Sequence, residues 1–299
     1  MTALAVLSLA LALTPSPEGA LRLERTTALQ RSAEQVWPEP NRANGDRSQA
    51  YQDGCLVTFR ARRSPPCVYG DSSSAVTVVL FGDSHANQFF PALEPIARAR
   101  HWRLVALMKG GCPPAPGTLR DPRTLDWQNR ACRIWRAWAV RRIARERPAL
   151  IVASGSNGSR LWRGGVRLAP GASDRAVART YARTARRLAR IAPRVVAIRD
   201  TPRPTLDVGG CVAAHMRDLR RCAFARPRRA GQPDPISRAL ASVDGVTVLD
   251  PLPELCPRSL CPAVIGNVLV WRALAHVTGT YSSTMSRWLA RRLPSSLSL

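Results

Sequence analysis

The sequence predicts an α/β protein with a doubly wound central sheet, and two patterns carry this prediction. Five short runs rich in valine, leucine and isoleucine occur at residues 75–81, 103–108, 149–154, 194–198 and 245–250. Continuous apolar runs of this length are typical of strands that are buried on both faces, as in a parallel sheet. Because helical patterns lie between these runs, strand and helix alternate along the chain, which is typical of the doubly wound class.

Two of the intervening segments have the apolar spacing of helices. The segment 173–193 can be capped by Ser173 or Asp174, and Pro193 follows its end. Its predicted inward face is Val177, Tyr181, Thr184, Leu188 and Ile191. A second helix is predicted over 130–148. Its predicted inward face is Ile134, Trp135, Trp138 and Ile143.

The chain is long and apolar enough for one α/β domain with an N-terminal tail. It has 299 residues, of which 45% are hydrophobic. We predict an apolar segment and a linker over 1–50 and a folded domain over 51–299. The apolar run Ala3–Leu13 is too short to span a bilayer. It suits a signal peptide that lacks the usual basic start, or the end of a transmembrane helix from a longer parent chain.

The protein is strongly basic, with a formal net charge of +25. Lys109 is the sole lysine, so arginine supplies the other 44 of the 45 basic residues. These arginines are dispersed, and no recognised basic-aromatic motif accompanies them. We therefore expect mostly solvated helix faces and no nucleic-acid partner, while attraction to an acidic cell surface or glycan stays open.

The eight cysteines fall into four short-range couples. Because sequence neighbours close the least costly loops, we predict the disulfides Cys55–Cys67, Cys112–Cys132, Cys211–Cys222 and Cys256–Cys261. A metal site is disfavoured, since the sequence has no C-x-x-C pair with a second pair of ligands to complete a zinc site. The four histidines also do not cluster with the cysteines along the sequence. Disulfides imply an oxidising compartment outside the cytoplasm.

Unusual residues follow four of the five predicted strands. They are Gly82-Asp83-Ser84-His85, Lys109-Gly110-Gly111-Cys112, Gly155-Ser156-Asn157-Gly158 and Asp200-Thr201-Pro202. Ligands of open parallel sheets bind beyond the carboxyl ends of the strands, so these loops can build one site.

Ser84 is well placed there as a nucleophile, which needs a base and donors for the developing oxyanion. The donors would be the N–H of Ser84, the N–H of Gly110 or Gly111, and the Asn157 amide. Alternatively, Gly-Asp-Ser is a turn that caps a helix, because serine and aspartate are good N-caps.

The base would be one of four histidines. His101 and His215 lie at predicted structural positions. His85 adjoins Ser84, and adjacent side chains at a helix start diverge, so its geometry is poor. His276 precedes a predicted final helix, from which a loop could bring it over Ser84.

With these residues, the chain resembles the SGNH/GDSL hydrolase superfamily. It is most similar to the SGNH domain at the C-terminal end of membrane acyltransferases of the acyltransferase-three type. The matching segments, spread over roughly 55–295, are VVLFGDSHANQFFPAL, MKGGCPP, RDTPRP and VLDPLPELCP…CPAVIGNVLVWRALAHVTGTYS.

The resemblance implies a flavodoxin-like three-layer α/β/α sandwich with a five-stranded parallel sheet and a Ser-His-Asp site. The nucleophile would be Ser84 and the base His276. The oxyanion donors would be the Ser84 and Gly111 amides and the side chain of Asn157. We expect Asp83, Lys109 and Asp250 to support the site.

One position departs from the family pattern, in which an acid stands three residues before the histidine. Here that residue is Ala273, and no acid occurs from 271 to 282. Three accounts stay open: a Ser-His dyad oriented by a backbone carbonyl, an acid from Asp250 or Asp200, or an impaired domain that is retained for binding.

The resemblance implies a serine-dependent O-acyl transferase or esterase, acting on cell-envelope glycans through an acyl-enzyme. A membrane acyltransferase domain would supply the acyl group, which the resemblance implies to be acetyl or a similar short chain, and no cofactor or metal is implied. The alternative is an impaired SGNH domain that binds acidic surface glycan or a partner protein. We expect an extracytoplasmic or secreted location, with membrane association through the N-terminus or a parent chain.

Overall fold

The computed structural model describes residues 16–23, 30–117, 121–156, 161–226, 234–273 and 275–297. The apolar run Ala3–Leu13 lies outside these ranges. Within them, no helix combines the length and the apolar character that crossing a bilayer requires.

A seven-stranded sheet forms the centre of the domain. Its strands are β1 Leu56–Val57, β2 Val68–Gly70, β3 Thr77–Gly82, β4 Arg103–Lys109, β5 Leu150–Ser154, β6 Val195–Ile198 and β7 Val246–Leu249. The order across the sheet is β1-β4-β3-β5-β6-β7, and these neighbours pair in parallel. β2 pairs antiparallel with the start of β4, on the same edge as β1.

The prediction of a doubly wound α/β sheet is confirmed, but the prediction of five strands is wrong. All five apolar runs form strands, and β3 and β5 are buried throughout. β1 and β2 were missed because they have only two and three residues, too few for a recognisable apolar run.

Helices cover both faces of the sheet. They are α1 Ala20–Leu23, α2 Gln49–Gln52, α3 Ser84–Asn87, α4 Phe90–Ala99, α5 Pro122–Glu146, α6 Pro170–Ala189, α7 Val208–Ala214, α8 Pro235–Ala241, α9 Leu252–Leu255, α10 Gly279–Thr284 and α11 Ser286–Ala290, with short 3-10 helices at Pro40–Gly45 and Leu219–Cys222. α4, α10 and α11 pack on one face. α5, α6 and α8 pack on the other.

Both predicted helices exist, with two corrections. α6 begins at Pro170, because proline is favoured in the first turn, so neither Ser173 nor Asp174 caps it. Ser173 is instead buried inside the helix and accepts a hydrogen bond from the Leu161 N–H. In α5, Trp135 and Ile143 are buried as predicted, but Ile134 is 41% exposed.

Four pairs of two-residue strands lie outside the central sheet. They are Trp162–Arg163 with Val166–Arg167, Phe224–Ala225 with Leu260–Cys261, Val264–Ile265 with Val268–Leu269, and Trp271–Arg272 with His276–Val277. The last pair is called the His276 hairpin below.

Part of the predicted linker packs on the domain that follows it. Val36, Ala43 and Ala50 are buried in the core shared with α4 and the C-terminal segments. The Trp37 N–H donates to the Asn267 carbonyl at 2.7 Å. The domain boundary at residue 50 stays a prediction.

The structure has the four predicted disulfides. They join Cys55 to Cys67, Cys112 to Cys132, Cys211 to Cys222 and Cys256 to Cys261. A chain with these bonds suits an oxidising compartment, which indicates an extracytoplasmic location.

Lys109, at the end of β4, anchors a loop. Its buried ammonium donates to the carbonyls of Thr58, Phe59 and Ala61 at 2.7–2.8 Å. Burial lowers the pKa of Lys109 to about 8, so the group is protonated at neutral pH and can use all three donors. The residue therefore fixes the loop after β1.

We expect Lys109→Met to lower the free energy of unfolding by about 2 kcal/mol, because three charge-assisted hydrogen bonds are lost in a partly buried setting. Urea unfolding of the oxidised protein measures this change. The matched control is Arg62→Met, which removes an exposed charge from the same loop. Equal midpoints for the two variants would show that the Lys109 contacts add no stability.

Candidate functional site

The carboxyl ends of β3, β5 and β6 meet at one edge of the sheet, as parallel pairing requires. β3 ends at Gly82, which has φ 155°. A Cβ atom there would lie 1.8 Å from the Ser154 carbonyl oxygen. Only glycine fits this approach, and it lets the chain turn directly from β3 into α3.

Asp83 joins two loops at this edge. Its carboxylate accepts from the His85 N–H at 2.8 Å and caps α3. It also accepts from the Ser156 N–H, at 3.1 and 3.3 Å to its two oxygens. The side chain is buried, and burial raises its pKa. Asp83 therefore fixes the start of the Ser84 helix against the loop that follows β5.

Ser84 and His276 meet across this edge. The Ser84 Oγ lies 2.9 Å from the His276 Nε2. His276 is carried by the His276 hairpin, where it pairs with Arg272. In the neutral imidazole with its proton on Nδ1, the Nε2 atom can accept the Ser84 hydroxyl proton. This contact has the geometry of a nucleophile and its base.

Burial is the largest influence on His276 and lowers its pKa to about 3. The nearby charges of His85, Arg272 and Arg203 contribute to this low pKa, while Asp200 opposes them. His276 is therefore unprotonated at neutral pH. It is available as a proton acceptor, but its imidazolium form is disfavoured.

A second imidazole lies beside it. The rings of His85 and His276 have centroids 4.7 Å apart. The His85 Nδ1 lies 2.5 Å from the Asp200 Oδ1, and both side chains are almost fully buried. Burial favours neutral His85, but the Asp200 carboxylate, together with the charge of Asp83, raises the His85 pKa overall.

This pair bears on two sequence interpretations. His85 was expected to be a poor base because its side chain diverges from that of Ser84, and its ring instead contacts His276. Asp200 was one of two acids considered as a replacement for the missing carboxylate, and its carboxylate contacts His85. The spacing along the chain could not reveal a contact between residues on separate strands.

Ala273 and Asp250 place no carboxylate on His276. Ala273 is exposed in the turn of the His276 hairpin, with φ 45°, and its N–H donates to the Asn44 Oδ1 at 2.7 Å. Asp250 accepts from the Arg199 Nη1 at 2.7 Å and from the Leu252 N–H at 2.9 Å. These contacts make Asp250 a structural partner of Arg199 and of the start of α9.

The two glycines after β4 differ in their amides. The Gly110 N–H donates to the Val57 carbonyl at 3.0 Å, so it is already used. The N–H groups of Gly111 and Ser84 donate to no acceptor within the described ranges. Gly111 and Ser84 therefore retain amides that an oxyanion could use, whereas Asn157 lies outside the described residues.

Comparisons with known proteins place the chain in a family and match its fold to a solved structure. The profile of the SGNH domain fused to AT3 domains matches residues 54–291. A solved structure of a Salmonella ser. Paratyphi A lipopolysaccharide acetyltransferase periplasmic domain aligns with a TM-score of 0.55 and 15% identity, covering 81% of this chain and 87% of that one. At this identity the likeness shows a shared fold. No curated protein sequence matches significantly.

We expect His276 to titrate near pH 3 in the folded protein, because its imidazole is buried beside positive groups. Long-range ¹H–¹⁵N spectra of the histidine rings measure this, and His276→Asn assigns the signal. In the unfolded chain the pKa of a histidine is about 6.5. Between that pH and about pH 3, unfolding takes up a proton on His276, so this residue lowers the free energy of unfolding as the pH falls through this window. A midpoint above pH 6 would contradict this electrostatic account.

Proposed function

The chain belongs to the family of SGNH domains fused to AT3 domains, and on this premise we propose that it is a serine-dependent O-acyl transferase or esterase. The observation that carries the proposal is the 2.9 Å contact between the Ser84 Oγ and the His276 Nε2. A serine hydroxyl becomes an effective nucleophile when a positioned base can remove its proton.

In the proposed reaction, the Ser84 Oγ attacks the carbonyl carbon of an acyl ester while its proton passes to the His276 Nε2. The amides of Ser84 and Gly111 stabilise the negative oxygen that forms, and Asn157 is a further proposed donor. Collapse of the intermediate expels the alkoxide, which takes the proton from His276. Water or a sugar hydroxyl then attacks the acyl-enzyme, with His276 again first base and then acid.

We propose a short acyl group, acetyl in the first place, and a cell-envelope glycan as acceptor. The family's fusion to AT3 domains supports a membrane acyltransferase domain as the acyl donor. The name of the structural neighbour, a lipopolysaccharide acetyltransferase domain, supports the same substrate class. The four disulfides support action at the outer face of the plasma membrane or in a secreted form.

Three observations favour the alternative, an impaired domain that binds acidic surface glycan or a partner. Ala273 supplies no carboxylate, and buried His276 has a pKa of about 3. In a serine-protease triad, replacing the corresponding acid by its amide lowers turnover by about 10⁴. The net charge of +25 suits an acidic polymer. The two functions differ in whether Ser84 is chemically reactive.

We expect the oxidised protein to hydrolyse p-nitrophenyl acetate and to be labelled by a fluorophosphonate at Ser84. Ser84→Ala should abolish the labelling and reduce turnover to the background rate, because the hydroxyl nucleophile is gone. Ser283→Ala, at an exposed serine, is the matched control and should retain both activities. If wild type and Ser84→Ala are indistinguishable while both bind an acidic polysaccharide, the binding function replaces the enzymatic one.

We expect Ala273→Asp to raise turnover by about tenfold or more, because a carboxylate near His276 would stabilise its protonated form. Aspartate is better suited than alanine to the left-handed backbone at this position. Ala273→Asn, which has the same shape without the charge, is the control. Equal turnover rates for the two variants would show that a charge at position 273 does not affect His276 as the base.

A further inference from the structure

The His276 hairpin is held on both sides of the histidine by buried hydrogen bonds. The Val277 N–H donates to the Gln88 Oε1 at 2.9 Å. The Thr201 hydroxyl donates to the Ala275 carbonyl at 3.2 Å. These bonds act on the two residues that flank His276, so they fix where its backbone lies.

Gln88 and Thr201 are also joined to each other. The Gln88 Nε2 donates to the Thr201 Oγ1 at 3.3 Å. Gln88 is 2% exposed and Thr201 is 5% exposed, so water does not compete freely for these bonds. The two side chains and their three hydrogen bonds are called the Gln88–Thr201 clamp.

The clamp joins the three segments that meet at the site. Gln88 ends α3, whose first residue is Ser84. Thr201 follows Asp200, and its N–H donates to the Asp200 Oδ1 at 2.8 Å. The third segment is the His276 hairpin. A shift of His276 relative to Ser84 would therefore break at least one buried bond.

We propose that the Gln88–Thr201 clamp positions His276 against Ser84, and that these two residues supply the orientation that a carboxylate at position 273 would otherwise give. Neither side chain is needed for contact with a reacting atom, so both are positioning residues. The proposal rests on the function proposed above for its catalytic consequence, while its geometric claim is independent of activity.

The chemistry of the clamp explains why it can orient the base without changing its charge. Amide and hydroxyl groups are neutral, and here they bond the backbone on either side of the ring. Fixed geometry alone has a large effect on rate, because a misplacement of about 1 Å can cost about 10²-fold. The clamp therefore provides orientation, and it leaves the stabilisation of the imidazolium to other groups.

The test compares Thr201→Val, which removes the hydroxyl at nearly constant shape, with Thr201→Ser, which keeps it. Gln88→Met removes both Gln88 bonds at similar length. The matched control is Thr284→Val: Thr284 is also buried and bonded, but to the Tyr281 carbonyl and the Ala20 N–H. All variants are compared by thermal unfolding, p-nitrophenyl acetate kinetics and the histidine ring spectra.

We expect Thr201→Val and Gln88→Met to lower kcat by about 10- to 100-fold with KM changed less than about twofold, because a displaced base affects the chemical step. Their spectra should show His276 in mixed tautomers, whereas Thr201→Ser and Thr284→Val should keep the wild-type ring signal. Unchanged His276 signals in both Thr201→Val and Gln88→Met would overturn the proposal. The proposal would also be overturned if Thr201→Val and Gln88→Met were as stable as Thr284→Val and lost no more kcat than that control.

Failure of the proposed function gives a different pattern. If wild type neither turns over the ester nor reacts with the fluorophosphonate, catalysis is refuted. The ring spectra then still decide the clamp. Mixed tautomers in Thr201→Val but not in Thr201→Ser support positioning without catalysis, and identical spectra in all variants overturn it.

Discussion

The site depends on one hydrogen bond, between Ser84 and His276, which joins residues 192 positions apart. A single bond of this kind contributes only about 1 kcal/mol net, so it cannot hold two distant segments together alone. The rest of the structure supplies that restraint. Gly82 lets α3 begin directly at the sheet edge, Asp83 caps it, and the Gln88–Thr201 clamp holds the His276 hairpin. The contact is thus the result of the packing around it.

Burial has opposing effects on the base. It excludes water and keeps His276 neutral, so that the Nε2 lone pair is available to the Ser84 hydroxyl. It also makes the protonated imidazole costly, which opposes the same proton transfer. The neighbouring Asp200 carboxylate contacts the His85 ring, where it raises the pKa of His85, rather than contacting His276. The site is therefore well oriented but poor in negative charge near its base.

The fold was accessible from sequence because strands and cysteine couples have local patterns, whereas the choice of His276 as the partner of Ser84 came from the family resemblance. Apolar runs predicted the five long strands, and short spacing predicted the four disulfides. β1 and β2 were too short to produce such a pattern. The contacts of Gln88 with Val277 and of His85 with Asp200 were also missed, since polar pairs far apart in sequence leave no periodic signal. Lys109 was predicted to support the site, but its three carbonyl partners belong to another loop.

The residue at position 273 separates two tasks that one carboxylate performs in a Ser-His-Asp site. That carboxylate orients the imidazole and stabilises it when protonated. Orientation of the imidazole needs directional hydrogen bonds, and these can come from neutral as well as charged groups. The neutral side chains of Gln88 and Thr201 can provide them. Stabilisation of the imidazolium needs negative charge, and Asp200, whose carboxylate raises the His276 pKa, is already paired with His85. In the reaction proposed above, an alanine at position 273 would therefore leave the geometry in place and make the proton transfer more costly. The proposed site would then favour acyl donors with good leaving groups, because they require less help from the protonated base.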